Sequence, residues 1–357
     1  MKKLLLPTLL LLVSFQMLAQ PDGYGLVWSD EFNGNGAIDA SKWHHQTQLP
    51  NGYSWYNNEV QHYTNRTDNS FVSNGTLKIV AKDETFTDQG VTLSYTSARL
   101  NSKFAFTYGY VEIRAKLPTG VGTWPALWML GQNITEPGGF WEGEFGTTGW
   151  PACGEIDILE HWGSNQNFVQ SATHTPSSFG DTFNKGGTTN PTASTEFHIY
   201  SLEWTEERLV FAVDGTIHYI YNPSTQNAAT WPFTENQYLL FNVAILPDIT
   251  PAFTQSDMEI DYVRVYQEEA LSTEDAAFVN EVQLFPNPVD NALNLNIASS
   301  IQEDVNVTIY STLGKKLYQE VLSQNEASID ISQLARGVYF IDIQAGDKVV
   351  TKKFIKQ

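Results

Sequence analysis

Apolar and polar residues alternate along short stretches of this chain. Over residues 110–117, Val111, Ile113, Ala115 and Leu117 fall on one side, with Tyr110, Glu112, Arg114 and Lys116 on the other. A period of two is that of a half-buried strand. Residues 77–81 and 259–266 read as further strands, and residues 208–221 as a hairpin turning at Asp214-Gly215, a dipeptide suited to positive φ. No long amphipathic helix emerges. Many short strands separated by Gly, Pro and Asn predict an all-β, antiparallel sandwich.

The pattern divides the chain. Residues 20–267 carry the main set of strands. Residues 268–283 are acidic and rich in Ala and Ser, without strand alternation, and read as a linker. Residues 284–357 alternate again, at Val305, Val307 and Ile309, at Tyr339, Ile341 and Ile343, and at Val349, Thr351, Lys353 and Ile355. They predict a small second β-domain with a lysine-rich end. Residues 1–19 stand apart. Lys2 and Lys3 precede an apolar run, Leu4 to Val13, too short to span a bilayer, and Ala19 suits a signal-peptidase cut. No later segment is long and apolar enough for a membrane helix.

Composition sharpens this picture. The 357 residues hold 20 Lys+Arg against 40 Asp+Glu, a net charge of −20. Such a surface repels phosphate backbones, so nucleic acid is an unsuitable partner. Cys153 is the one cysteine, which excludes an internal disulfide and any multi-cysteine zinc site. All ten Trp lie between Trp28 and Trp231, so the aromatic chemistry belongs to the first domain.

The most informative segment is Gly154-Glu-Ile-Asp-Ile-Leu-Glu160. On a strand Glu155 and Asp157 share a face, whereas Glu160, five positions from Glu155, faces the opposite side. A β-bulge at Ile158-Leu159 brings it back to the first face. Three carboxylates then form one row with no Lys or Arg in the segment, and like charges so crowded hold a proton near neutral pH. Retaining glycoside hydrolysis needs that combination of one ionised and one protonated carboxyl. Glu155 is assigned as nucleophile, Glu160 as acid/base and Asp157 as the residue that holds the nucleophile; residue types alone also permit the reverse order. A calcium site or a solvated strand face is the competing reading, although calcium loops set their acids among Gly and Asn. Trp124 and Trp128, four apart, share a face if extended, and Trp162 lies close in sequence. Such rings stack on sugar faces or pack in a core.

The acid segment, with Trp150-Pro-Ala-Cys-Gly154 before it and Trp124-Pro-Ala-Leu-Trp128 upstream, resembles glycoside hydrolase family 16. Its long form, with two residues before the last Glu, resembles the laminarinase branch. That resemblance implies a β-jelly-roll sandwich with a concave substrate cleft and retaining endo-hydrolysis of a neutral polysaccharide, β-1,3-glucan, without a catalytic cofactor. Mixed-linkage glucan, agarose, or a non-catalytic glucan-binding sandwich are the alternatives. The family pattern maps its nucleophile, assisting Asp and acid/base onto Glu155, Asp157 and Glu160. It maps sugar-stacking tryptophans onto Trp124 and Trp128, and cleft residues onto Asn58, Arg99 and His174. His161-Trp162 and the insert Phe140-Trp-Glu-Gly-Glu144 depart from the laminarinase pattern and bear on substrate choice.

The same resemblance implies a structural Ca2+ held by Asp261 with carbonyls at Glu31 and Gly75. Asp261, placed by alternation on the face of Val263 and Val265, needs a partner there. Residues 284–357, opening with Leu284-Phe-Pro-Asn-Pro288 and containing Gly337-Val-Tyr-Phe-Ile-Asp-Ile343, are similar to type IX secretion sorting domains. This implies a partnership with that secretion machinery and a monomer delivered to the cell surface or the medium. A carbohydrate-binding module is the competing reading for this tail, which lacks Trp.

Overall fold

The computed structural model describes residues 23–269, 282–297, 304–311, 315–322, 326–346 and 348–357. The expected leader at 1–19 and most of the expected linker at 268–283 lie outside them. The chain forms two compact units, residues 1–268 and 269–357.

The first unit is a sandwich of two sheets. The outer sheet runs in the order β15 (Thr216–Tyr221), β14 (Leu209–Val213), β13 (His198–Trp204), β8 (Gly109–Lys116), β17 (Gln255–Glu268), β5 (Thr76–Asp88), β6 (Val91–Ser97) and β3 (Gln61–Tyr63). To it are added β1 (Tyr24–Asp30) beside β17 and β4 (Ser70–Ser73) beside β5. The inner sheet runs β12 (Lys185–Thr189), β11 (Phe168–His174), β10 (Glu155–His161), β9 (Thr123–Gly131), β16 (Gln237–Ile245), β7 (Arg99–Phe106) and β2 (Trp43–His45). Pairing is antiparallel except for β3 beside β6, which run parallel.

Alternation explains the layers. Val111, Ile113 and Ala115 of β8 point inward and meet Leu127 and Met129 of β9 and Ile156, Ile158 and Leu159 of β10 in one buried core. Each fully buried aliphatic side chain contributes about 1.5–3 kcal/mol of transfer free energy. The hairpin turns where expected, with φ of 48° at Asp214 and 76° at Gly215.

Strand β17 departs from strict alternation. Its register against β8 slips between Ile260 and Tyr262, and Ile260 and Val263 are both buried. Asp261 is the extra residue of that bulge. It therefore leaves the face of Val263 and Val265 expected from alternation, and instead accepts a hydrogen bond from Arg114. The Glu31 carboxylate is held at both oxygens by Arg264, and Gly75 sits at φ 75° in the turn between β4 and β5. As placed, these side chains do not form a carboxylate cage for a cation. The donors left at the three positions are main-chain carbonyls and the second Asp261 oxygen.

The second unit has two sheets of its own. One is β18 (Val282–Phe285), β19 (Ala292–Ile297) and β22 (Glu326–Asp330). The other is β21 (Lys316–Leu322), β20 (Val305–Ser311), β23 (Gly337–Ala345) and β24 (Lys348–Lys356). They enclose a core that includes Val307, Ile309, Ile341 and Ile343. On β24 the buried row is Val350 and Phe354, so Val349, Thr351, Lys353 and Ile355 form the exposed row.

Candidate active site

Strand β10 carries the acids into the cleft by a local break in its pairing. Glu155 lies opposite His174 of β11 and Leu130 of β9, and Asp157 lies opposite Ala172 and Trp128. The register then slips before Glu160, which lies opposite Gln170 and Ala126. Ile156, Ile158 and Leu159 all enter the core. Two consecutive residues thus take the inward side, and Glu155, Asp157 and Glu160 share the outward one.

These acids line an open cleft of about 720 Å³ on the inner sheet's outward face. Alanines 126, 172 and 244 keep its floor low, while Trp124, Trp128, Trp150 and Trp162 stand around it. Trp124 stacks on Trp162 with centroids 5.9 Å apart, so the cleft brings together the predicted Trp124, Trp128 and Trp162. Arg99 also lines it, but its charge is already matched. It donates to both oxygens of Glu136 at 2.7 and 2.8 Å and lies over the Trp128 ring, 4.8 Å from its centroid. Asn58 is exposed, at φ 60°, and is not among the lining residues; Tyr56, Asn57 and Glu59 beside it are. Both asparagines take left-handed backbone, Asn57 at φ 55° and Asn58 at φ 60°.

Glu155 and Glu160 have separate donors. Trp150 Nε1 donates to Glu155 Oε2 at 2.7 Å. Glu160 receives longer bonds, from Trp124 Nε1 at 3.1 Å and from Gln170 Nε2 at 3.4 Å. His174 Nδ1 accepts from the Gly180 N–H at 3.1 Å, which leaves the ring proton on Nε2. That nitrogen faces Asp157 Oδ2 at 3.2 Å and Glu155 Oε1 at 3.6 Å. The close approach to Asp157 is poorly aligned, and Oδ2 has no well-formed hydrogen bond. Among the described residues, Glu155, Asp157 and His174 are the one set of three such groups with ligand atoms within 4.8 Å of one another. The tautomer fixed by Gly180 makes the imidazole a donor to the carboxylates rather than a ready metal ligand.

Crowding shifts every acid in one direction. Burial, then the charge of Asp157, pushes Glu155 well above the carboxylate range, and His174 opposes this. Burial pushes Asp157 up to about 7. Burial, then Asp157, pushes Glu160 up to about 8. The trio therefore retains protons at neutral pH, as a proton donor beside a carboxylate requires.

Several cleft residues lie outside the predicted set: Trp150, Gln170, Glu59, Glu136 and Asn242. Gln170 was within reach of the pattern, because it shares a strand face with His174. Asn242 was also legible, as a polar residue inside the apolar run 237–245. Glu136 lies in a loop, where periodicity carries no signal.

Comparison with known proteins accords with this geometry. Residues 57–264 match the model for glycosyl hydrolases family 16, and residues 283–357 match the secretion system C-terminal sorting domain. A beta-glucanase of Rhodothermus marinus is 37% identical over 258 residues, covering 68% of this chain and 85% of that protein. A glucan endo-1,3-beta-glucosidase A1 of Niallia circulans is 34% identical over 273 residues, covering 69% of this chain and 38% of the other. The crystal structure of LamAcat from Zobellia galactanivorans superposes with a TM-score of 0.63 at 49% identity, covering 68% of this chain and 97% of that one. With a bulged acid strand on a jelly-roll sandwich and these relatives, the chain belongs to glycosyl hydrolase family 16 and carries a secretion-system sorting domain at its C-terminal end.

Proposed function

We propose that this enzyme is an exported endo-β-1,3-glucanase that cleaves laminarin-type chains with retention of anomeric configuration. The observation that carries the chemistry is the single row of Glu155, Asp157 and Glu160 in a tryptophan-walled cleft, with no Lys or Arg among the described residues ion-paired to any of them. Glu155, which receives the shorter hydrogen bond, 2.7 Å from Trp150, and also faces His174 Nε2, is the carboxylate that attacks the anomeric carbon. As the new C–O bond forms, the glycosidic C–O bond breaks and its oxygen takes the proton of Glu160. Water then gives a proton back to Glu160 and attacks the same carbon, releasing Glu155. Asp157 hydrogen-bonds Glu155, takes up the proton they share so that Glu155 can attack as a carboxylate, and keeps it in place, while His174 Nε2 faces both side chains. The β-1,3 preference rests on the relatives named for that linkage.

Mixed-linkage glucan is the second reading, since SCLam, described as a non-specific endo-beta-1,3(4)-glucanase, is 38% identical with a TM-score of 0.63. Hydrolysis of laminarin, lichenan and agarose by the purified protein separates these substrates, with Glu155→Ala as the control. NMR of the first product anomers reads the stereochemistry, and initial release of the α-anomer would refute retention. The tail directs type IX export to the surface or medium of the cell, and the enzyme acts as a monomer; fractionation of cells with and without residues 284–357, and light scattering, test these. A structural Ca2+ would be held by carbonyls at Glu31 and Gly75 and by the Asp261 oxygen that Arg114 leaves free. Calcium added to chelator-treated protein then raises the melting temperature, and Asp261→Ala loses that rise.

A further inference from the structure

Glu59 stands at the edge of the cleft outside the catalytic row. It is 8% exposed and lines the cleft with Asn57 and Trp128. Its Oε2 accepts from Gln61 Nε2 at 2.7 Å and from the Tyr63 hydroxyl at 2.8 Å. Its Oε1 takes no hydrogen bond from the described residues and is not sealed from the cleft. A buried carboxylate held by one oxygen, with the other open, is an acceptor waiting for a donor. No Lys or Arg among the described residues forms an ion pair with it, whereas the nearby Glu136 is occupied by Arg99.

The surroundings fix its aim. The Tyr63 hydroxyl accepts from Asn242 Nδ2 at 3.1 Å, and Asn242 Oδ1 accepts from Trp128 Nε1 at 2.7 Å. One chain of hydrogen bonds therefore holds both the Glu59 carboxylate, through Oε2, and an indole of the cleft wall. Trp128 lies opposite Asp157 in the sheet, so this chain borders the reacting centre.

We infer that Glu59 is a substrate-binding residue that accepts a hydrogen bond from a glucosyl hydroxyl through Oε1 and selects neutral chains over sulfated or uronate-bearing ones. Burial raises the proton affinity of Glu59 while the Tyr63 and Gln61 donors and the Arg99 charge oppose this, and in its ionised form the carboxylate offers acceptors only. It rewards a hydroxyl, and it repels a sulfate ester or a carboxylate at the same place. The inference rests on the glucan reading above, and the binding test keeps the two apart.

The test uses the full chain in a Glu155→Ala background, so that binding is read without turnover. Calorimetry with laminarin oligosaccharides is expected to show affinity lower on the order of 10-fold or more for added Glu59→Gln, the scale of one charge-assisted hydrogen bond. Tyr63→Phe cuts the link to Asn242 and Trp128 but leaves Oε1 in place, and is expected to lose less than 3-fold, about 0.7 kcal/mol. Sulfated laminarin, compared with laminarin, is expected to gain in Glu59→Gln. If Glu59→Gln binds as its parent does, or if Tyr63→Phe loses as much, the inference is overturned. Should Glu59→Gln fail to fold, Glu59→Asp, which keeps the charge but withdraws the oxygen, replaces it, with the same loss expected and an unchanged affinity counting against the proposal. Failure of the glucanase reading shows separately, as absence of laminarin hydrolysis by the unsubstituted enzyme.

Discussion

Replacing Glu160 by Gln should damage activity and yet stabilise the fold at alkaline pH. The Glu160 carboxyl titrates near 4.5 when unfolded and at about 8 in place, raised first by burial and then by Asp157. Between these values the folded state binds more protons than the unfolded state, so stability falls as pH rises. The contribution is fully present below pH 4.5 and lost by the time pH passes about 8. Each pH unit in that window is worth about 1.36 kcal/mol per proton. The interval from 4.5 to about 8 gives about 5 kcal/mol as an upper bound. Local relaxation and proton sharing with Asp157 reduce it, to on the order of 1–4 kcal/mol. Gln keeps the shape and cannot ionise. Urea denaturation of both proteins at pH 5 and pH 9 should show the Glu160→Gln variant gaining at pH 9 relative to pH 5, while its turnover of laminarin falls by about 10²–10⁴. A stability difference of the same size at both pH values would refute the claim that Glu160 is held protonated by burial and by its neighbour.

Other substitutions probe the remaining links. The alkaline limb of kcat/KM on laminarin should fall near pH 8, where Glu160 loses its proton, and Trp124→Phe, which removes a donor to its carboxylate, should move that limb upward. Arg99→Met leaves the buried Glu136 without its partner and should cost about 3–5 kcal/mol in chemical denaturation; a loss under 1 kcal/mol would show that the pair is not what holds Glu136. Deleting Leu159 makes β10 a regular strand with the last Glu still on the cleft face, so reducing-sugar assays should detect residual hydrolysis. Inserting one Ala after Leu159 turns that Glu toward the core and should abolish it, and equal activity in the two variants would contradict the bulge argument.

Much of the candidate site was legible because the relevant chemistry is local. Glu155, Asp157 and Glu160 fall within six residues, and strand geometry alone requires an extra residue between Asp157 and Glu160 if all three are to cooperate. Trp124 and Trp128 share a face by the same period. Asn57 rather than Asn58 lines the cleft, and a turn, unlike a strand, has no period to say which of two adjacent asparagines points inward. The face of Asp261 differs from the one expected by alternation because its bulge, unlike that of the acid motif, leaves no trace in the residue types.

The order of apolar and polar residues by itself determined the strands, the two-domain division and the row of acids, since each depends on neighbours a few positions apart. Only the tertiary structure decided what each acid meets. Trp150 reaches Glu155, Gln170 reaches Glu160, and Gly180 fixes the His174 tautomer. Glu59 is joined to Trp128 through Tyr63 and Asn242, partners nearly two hundred positions apart in the chain. Burial and long-range pairing set the proton affinities, and both are properties of strands brought side by side, which no local pattern encodes.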